Sequence, residues 1–222
     1  MTAIPVARGL AIALASLAVL LALPFDAAAQ FAFTPPTIEG YAMFGRASFM
    51  PAESFETILG KSSGPLLGGG VRIGPGLRGL FFDVGAWRFH ADGERVFVFN
   101  GEVFPLGIPA SVSVMPLEIS GGWRFRVRRL PKLVPYVAGG LTSVHYEETS
   151  EFATSAENTN EFFNGIHLLG GAQYKIRPWL GVAGEASWST VGNALGDAGV
   201  SKVFNESDLG STTLRFKITI GR

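Results

Sequence analysis

The stretch Leu214-Arg215-Phe216-Lys217-Ile218-Thr219-Ile220 puts an apolar side chain at every even position and a polar one at every odd position. A period of two marks a strand with two unlike faces. Upstream, Leu180, Val182, Gly184, Ala186 and Trp188 alternate with Gly181, Ala183, Glu185, Ser187 and Ser189. Earlier still, Ile166, Leu168, Ala172, Tyr174 and Ile176 alternate with Gly165, His167, Gly171, Gln173 and Lys175. From Leu117 to Val127 one face carries Ile119, Trp123, Phe125 and Val127, and the other Glu118, Ser120, Gly122, Arg124 and Arg126.

One face is therefore bulky and apolar, while the other mixes small residues with charges. The polar face of a water-soluble sheet is normally rich in Lys, Glu and Thr, and Gly is scarce in strands because it weakens them. Here Gly numbers 29 and recurs inside the strands, at Gly68 to Gly70, Gly121 and Gly122, Gly139 and Gly140, and Gly170 and Gly171. A narrow barrel accounts for this, since its inward face must be small and its curvature favours Gly. The apolar face then meets lipid. Charged residues make up only 16% of the chain and hydrophobic ones 47%, against about a quarter charged in soluble domains. The net charge of zero gives no electrostatic footprint for nucleic acid. With no cysteine, a disulfide framework, a thiolate metal site and a cysteine nucleophile are all excluded.

The remaining strands are expected at Ile38 to Met50, Leu66 to Ile73, Leu80 to Phe89 with Asp83 inward, and Val134 to Glu147 with Tyr136, Val144 and Tyr146 outside. The first and third depart from strict alternation, as either a bulge or a shifted register would make them do. Short connections are expected at Gly74-Pro75-Gly76, Arg128 to Leu133 and Arg177-Pro178-Trp179. Long ones are expected at Pro51 to Gly64, Ala91 to Ser111, Thr149 to Glu161 and Val191 to Leu209. Short turns alternating with long loops are the topology of outer-membrane barrels, with the turns and both chain ends periplasmic. Trp123, Tyr136, Tyr174 and Trp179 would lie near the periplasmic rim, and Tyr146, Trp188 and Trp87 near the outer one, where aromatic residues favour the interface. The expected fold is all-β, an antiparallel up-and-down transmembrane β-barrel of eight strands over residues 37–222. A soluble exported barrel such as a lipocalin is the structural alternative, and it requires the apolar faces to point inward.

Residues 1–29 are expected to be a cleavable signal peptide, and residues 30–36 a short lead. Arg8 precedes an apolar run from Leu10 to Leu23, Pro24 breaks it, and Ala27-Ala28-Ala29 offers a small-residue cleavage site before Gln30. The run is shorter than the ~20 residues a membrane-spanning helix needs.

The chain resembles the eight-stranded outer-membrane barrel family of the opacity proteins and the outer membrane protein A barrel. The resemblance rests on Pro135-Tyr136-Val137-Ala138-Gly139-Gly140-Leu141, on Gly165 to Tyr174 leading into Arg177-Pro178-Trp179, and on the closing strand Thr212 to Ile220. It implies a monomer in the bacterial outer membrane, with outer-membrane lipid and the assembly machinery as partners. Chains of this kind often end in an aromatic residue, whereas this one ends in Gly221-Arg222, which is expected to weaken the insertion signal.

For chemistry, the inward charges come first: Arg72, Asp83, Glu118, Arg124, Arg126, Lys175, Glu185, Arg215 and Lys217. Eight strands enclose just enough space for side chains, so a plug of ion pairs is favoured over a pore. Glu185 is expected opposite Arg215 and Lys217. His145 and His167 are expected inward near the outer ends of adjacent strands, without further ligands at metal spacing. The segment Ser187 to Ala194 is faintly similar to the active-site strand of lipid A deacylases. A serine nucleophile needs an adjacent base, and that family's histidine is missing here. No catalytic, cofactor or metal site is therefore expected. The reading that remains is a structural or surface-interaction role, adhesion-like, through the outer loops, which are the usual carriers of function. A narrow pore for small solutes and a lipid-modifying enzyme are the alternatives. Within Ala91 to Ser111, the apolar run around Phe97 and Phe99 is open to two readings, a strand pair or a binding loop.

Overall fold

A computed structural model describes residues 35–221, other than residues 78, 101, 151–158 and 197–198. The expected signal peptide and Arg222 lie outside these described residues. Eight strands follow one another as β1 (Thr37–Phe49), β2 (Ser63–Gly74), β3 (Leu80–Phe99), β4 (Glu102–Arg124), β5 (Leu133–Ser150), β6 (Thr159–Arg177), β7 (Leu180–Thr190) and β8 (Ser211–Gly221). Each pairs antiparallel with the next, and β8 pairs with β1 to close the barrel. Closure leaves no free strand edge in the wall, as a span through lipid requires.

Alternation within the wall follows the sequence. On β8, Leu214, Phe216, Ile218 and Ile220 are exposed while Thr213, Arg215, Lys217 and Thr219 are buried. β1 alternates without a break, so the bulge expected there is absent. Register shifts occur instead at Glu94/Val96 and Lys175/Arg177. Two of the expected long loops carry short helices, α1 (Ala52–Leu59) and α2 (Gly199–Val203). The stretch Ala91 to Ser111 is a strand pair, because β3 and β4 continue as a ladder out to Phe99 and Glu102.

Gly140 shows what strand curvature demands. A Cβ there would run into the carbonyl oxygen of Ile119 on the neighbouring strand. Gly140→Val is expected to lose at least about 1–3 kcal/mol, the usual cost of overpacking. A lower temperature for the heat-induced mobility shift in SDS would register it.

Candidate functional site

The lumen is filled in two storeys. The lower storey is ionic. Glu118 receives both terminal nitrogens of Arg215 at 2.6 Å and the Trp87 indole at 2.9 Å. Glu185, opposite Arg215 in register, accepts from Lys217 at 2.8 Å and from the Tyr136 hydroxyl at 3.0 Å. Arg72 donates to its register partner Asp83 at 2.8 Å, and Tyr41 donates to the other Asp83 oxygen at 2.6 Å. The Arg72 guanidinium also lies 4.4 Å from the Phe81 and Tyr136 ring centroids. Nearer the turns, Arg124 pairs with Glu39 at 2.8 Å. Arg72, Arg215 and Lys217 thus balance Asp83, Glu118 and Glu185, and Arg124 balances Glu39. Buried charges need such partners, because an uncompensated one costs several kcal/mol.

The upper storey is apolar. Met43, Phe49, Leu66, Phe89, Val112, Val114, Val144 and Leu209 form one buried cluster. Helix α1 closes it from above, its Phe55 ring stacking on Phe49 at 4.8 Å while Phe49 meets Phe89 edge-on at 4.9 Å. The α1 N-terminus is capped from the last loop. Glu206 accepts from the backbone N–H groups of Glu53 and Ser54 at 3.0 and 2.9 Å, which suits an anion at a helix start. Asp208 fixes that loop, accepting from the backbone of Val191 and Gly210 at 2.7 Å and from the Thr190 hydroxyl. Glu206→Ala is expected to cost about 0.5–2 kcal/mol, as other cap losses do. Faster proteolytic nicking within 50–62, with the barrel intact, is the measurement.

Outside, Ile38, Phe44, Leu67, Phe82, Ile119, Leu141, Leu168 and Phe216 are all exposed, forming an apolar belt around the closed wall. Among the described residues no helix is long and apolar enough to cross a membrane, so the strands do the crossing. This is a transmembrane β-barrel of the outer-membrane type. The lipocalin alternative fails, since the belt faces outward. No protein-family model and no curated protein matches the sequence. Among solved structures, the chain is similar to Neisserial surface protein A, with 12% identity, a TM-score of 0.48, and 83% of this chain and 96% of that one covered. It is also similar to a major outer membrane protein of Thermus thermophilus, with 14% identity, a TM-score of 0.46, and coverage of 83% and 99%. A third is the N-terminal β-barrel domain of Pseudomonas aeruginosa OprF, with 13% identity, a TM-score of 0.45, and coverage of 84% and 97%. At this distance the likeness is one of architecture only, and the membrane assignment stands on the closure and the belt.

Above the belt the faces exchange roles. On β3, Phe82 and Val84 face out opposite an inward Asp83; higher up, Arg88 and His90 face out while Trp87, Phe89 and Ala91 are buried. The wall there obeys the rule for soluble proteins, apolar within and polar without. Several expectations are corrected accordingly. Val144 and Tyr146 point inward, because they lie where the interior is apolar. Tyr136 also points inward, drawn to Glu185, and Trp87 points inward to Glu118. Trp123, Tyr174, Trp179 and Trp188 keep outward positions, with Trp179 55% exposed. Arg126 is exposed and Val127 buried, because β4 ends at Arg124 and the chain turns.

The two histidines are not brought together. His145 faces out and stacks on Phe162 at 4.5 Å, whereas His167 faces in, its Nε2 2.7 Å from the Ser120 hydroxyl. This Ser–His pair is the kind that activates a nucleophile, but both residues are sealed at 3% and 1% exposure. Among the described residues, Ser189 bonds to Ser211. Among the described residues no group of three His, Asp or Glu could hold a metal ion.

The remaining feature is the ribbon of β3 and β4. Beyond the pairing of Ala110 with Ser150, β4 has no partner in β5 among the described residues, and β3 and β4 continue as a pair. Their register sets Phe97 against Phe104 and Phe99 against Glu102, and the Phe97 and Phe99 rings stack at 6.4 Å. Phe97, Phe99, Phe104 and Leu106 are 43–59% exposed.

Proposed function

We propose that the protein is a non-conducting outer-membrane barrel whose role is surface interaction through its projecting ribbon. One observation carries the reading: Phe97, Phe99, Phe104 and Leu106 stand exposed far above the lipid belt. Lipid cannot cover them there, and a contiguous apolar patch of this kind marks an interaction site. The lumen supports the same reading, since neutral ion pairs and a capped apolar cluster fill it. Ser120 and His167 sit within that filling, which favours a non-enzymatic role.

The test pairs two measurements on the full-length barrel. In planar bilayers it is expected to give no conductance steps, and regular steps would favour the solute-pore reading. Cells displaying the wild type are expected to adhere to matrix-coated wells at least about tenfold better than cells displaying the ribbon variant F97S/F99S/F104S, the range expected when interface hot spots are removed. Equal adhesion at equal surface abundance would sink the ribbon as the interaction surface.

A further inference from the structure

The opposite end of the barrel carries a second surface, made of two periplasmic turns. The segment 125–133 reads Phe-Arg-Val-Arg-Arg-Leu-Pro-Lys-Leu and the segment 174–180 reads Tyr-Lys-Ile-Arg-Pro-Trp-Leu, with no Asp or Glu in either. The fold joins them, because β5 and β6 are neighbours and the Lys175 N–H donates to the Lys132 carbonyl at 2.9 Å. Arg126, Arg128, Arg129, Lys132 and Arg177 are all exposed. The same patch exposes Leu130 at 56%, Trp179 at 55% and Ile176 at 44%.

From this we infer that the patch is a docking surface for anionic phospholipid headgroups of the periplasmic leaflet. Two observations favour a lipid over a soluble acidic partner. The cations are interleaved with exposed apolar and aromatic groups, the composition that suits a membrane interface. The patch is also continuous with the belt, running from Ile176 and Trp179 into Tyr174 and Val182, which holds the cations at the level of the phosphates. Arginine suits that task, since its fork meets phosphate oxygens in pairs. The inference rests on the chain being embedded in a membrane and is indifferent to what the ribbon binds.

The experiment uses the full-length barrel in phosphatidylcholine vesicles containing traces of spin-labelled phosphatidylglycerol or spin-labelled phosphatidylcholine. The fraction of each label held immobile at the protein surface is read by electron paramagnetic resonance. A basic residue near an anionic surface is worth about fivefold in association. Averaged over a perimeter that the patch only partly covers, about threefold preference for phosphatidylglycerol is expected, falling to none in molar salt. The variant R128Q/R129Q/K132Q is expected to lose the preference while keeping its heat-dependent mobility shift, and R126Q/R177Q serves should the first not fold. An immobile fraction without headgroup preference overturns the inference, as does a preference that survives in the variants. Patch-dependent sedimentation with purified cell-wall sacculi, without lipid preference, would assign the surface to an acidic polymer instead. No immobile fraction for either label would overturn the membrane embedding itself.

Discussion

Arg215→Met is expected to destabilise the barrel by about 3–5 kcal/mol, the cost of stranding a buried charge. The guanidinium is the only cation bonded to Glu118 among the described ion pairs, with both of its bonds at 2.6 Å. Without it, Glu118 keeps the Trp87 indole and stays 5% exposed, while Lys217 remains bonded to Glu185. Glu118→Leu should cost a similar amount from the other side, since Arg215 would retain as charged partner a 3.5 Å approach to Glu185, beside its neutral bond to Thr213. The double variant E118L/R215M removes one charge of each sign and leaves Glu185 with Lys217 and Tyr136. Replacing a whole buried pair by apolar groups is often close to neutral. Its loss should therefore be far smaller than the sum of the two single losses. Urea unfolding in detergent micelles measures all three, and additive losses would show that the pair is not the unit of stability.

The closing strand makes the wall legible from sequence alone. Leu214 to Ile220 fixes which side meets lipid, and the same period in β6 and β7 gives the inward Glu185, Lys175 and His167. Opposed pairs such as Glu185 with Arg215 then follow from antiparallel neighbours. Tyr146 and Val144 were not legible by that rule, because it holds only while the wall lies in lipid. Once β5 rises past Leu141, the exterior residues become Ser143, His145 and Glu147, and the apolar side turns inward without any break in alternation. Periodicity fixes the two faces of a strand; only the solvent on each side says which is which. Tyr136 is hidden from that rule for another reason. Its ring faces Arg72 and its hydroxyl reaches Glu185, partners far away in sequence. Helix α1 was hidden as well, since its cap comes from Glu206 in the last loop rather than from a neighbouring residue.

Phe89 and Phe97 lie on one strand, eight positions apart, and should behave as opposites. Phe89 is fully buried, meets the Phe49 ring at 4.9 Å, and fills the space against Gly64 that a side chain would need. Phe89→Ala should cost about 3–5 kcal/mol, as buried Phe truncations do. It would also remove the floor beneath Phe55, so the segment 50–62 should be nicked by protease before the barrel unfolds. Phe97 is 53% exposed on a ribbon that no other strand flanks among the described residues. Its truncation should change stability by less than about 0.5 kcal/mol, the usual range for surface positions. If the ribbon is the interaction surface, the cost appears in adhesion instead. The two variants thus separate a core role from a surface role on one strand, and decide between the two readings that the apolar run around Phe97 leaves open. A destabilised Phe97→Ala barrel would mean that the ribbon packs as core, and its exposed face would then say nothing about a partner. A stable variant with lost adhesion would place the protein's function at the ribbon, which the sealed lumen leaves free to differ in sequence without disturbing the wall.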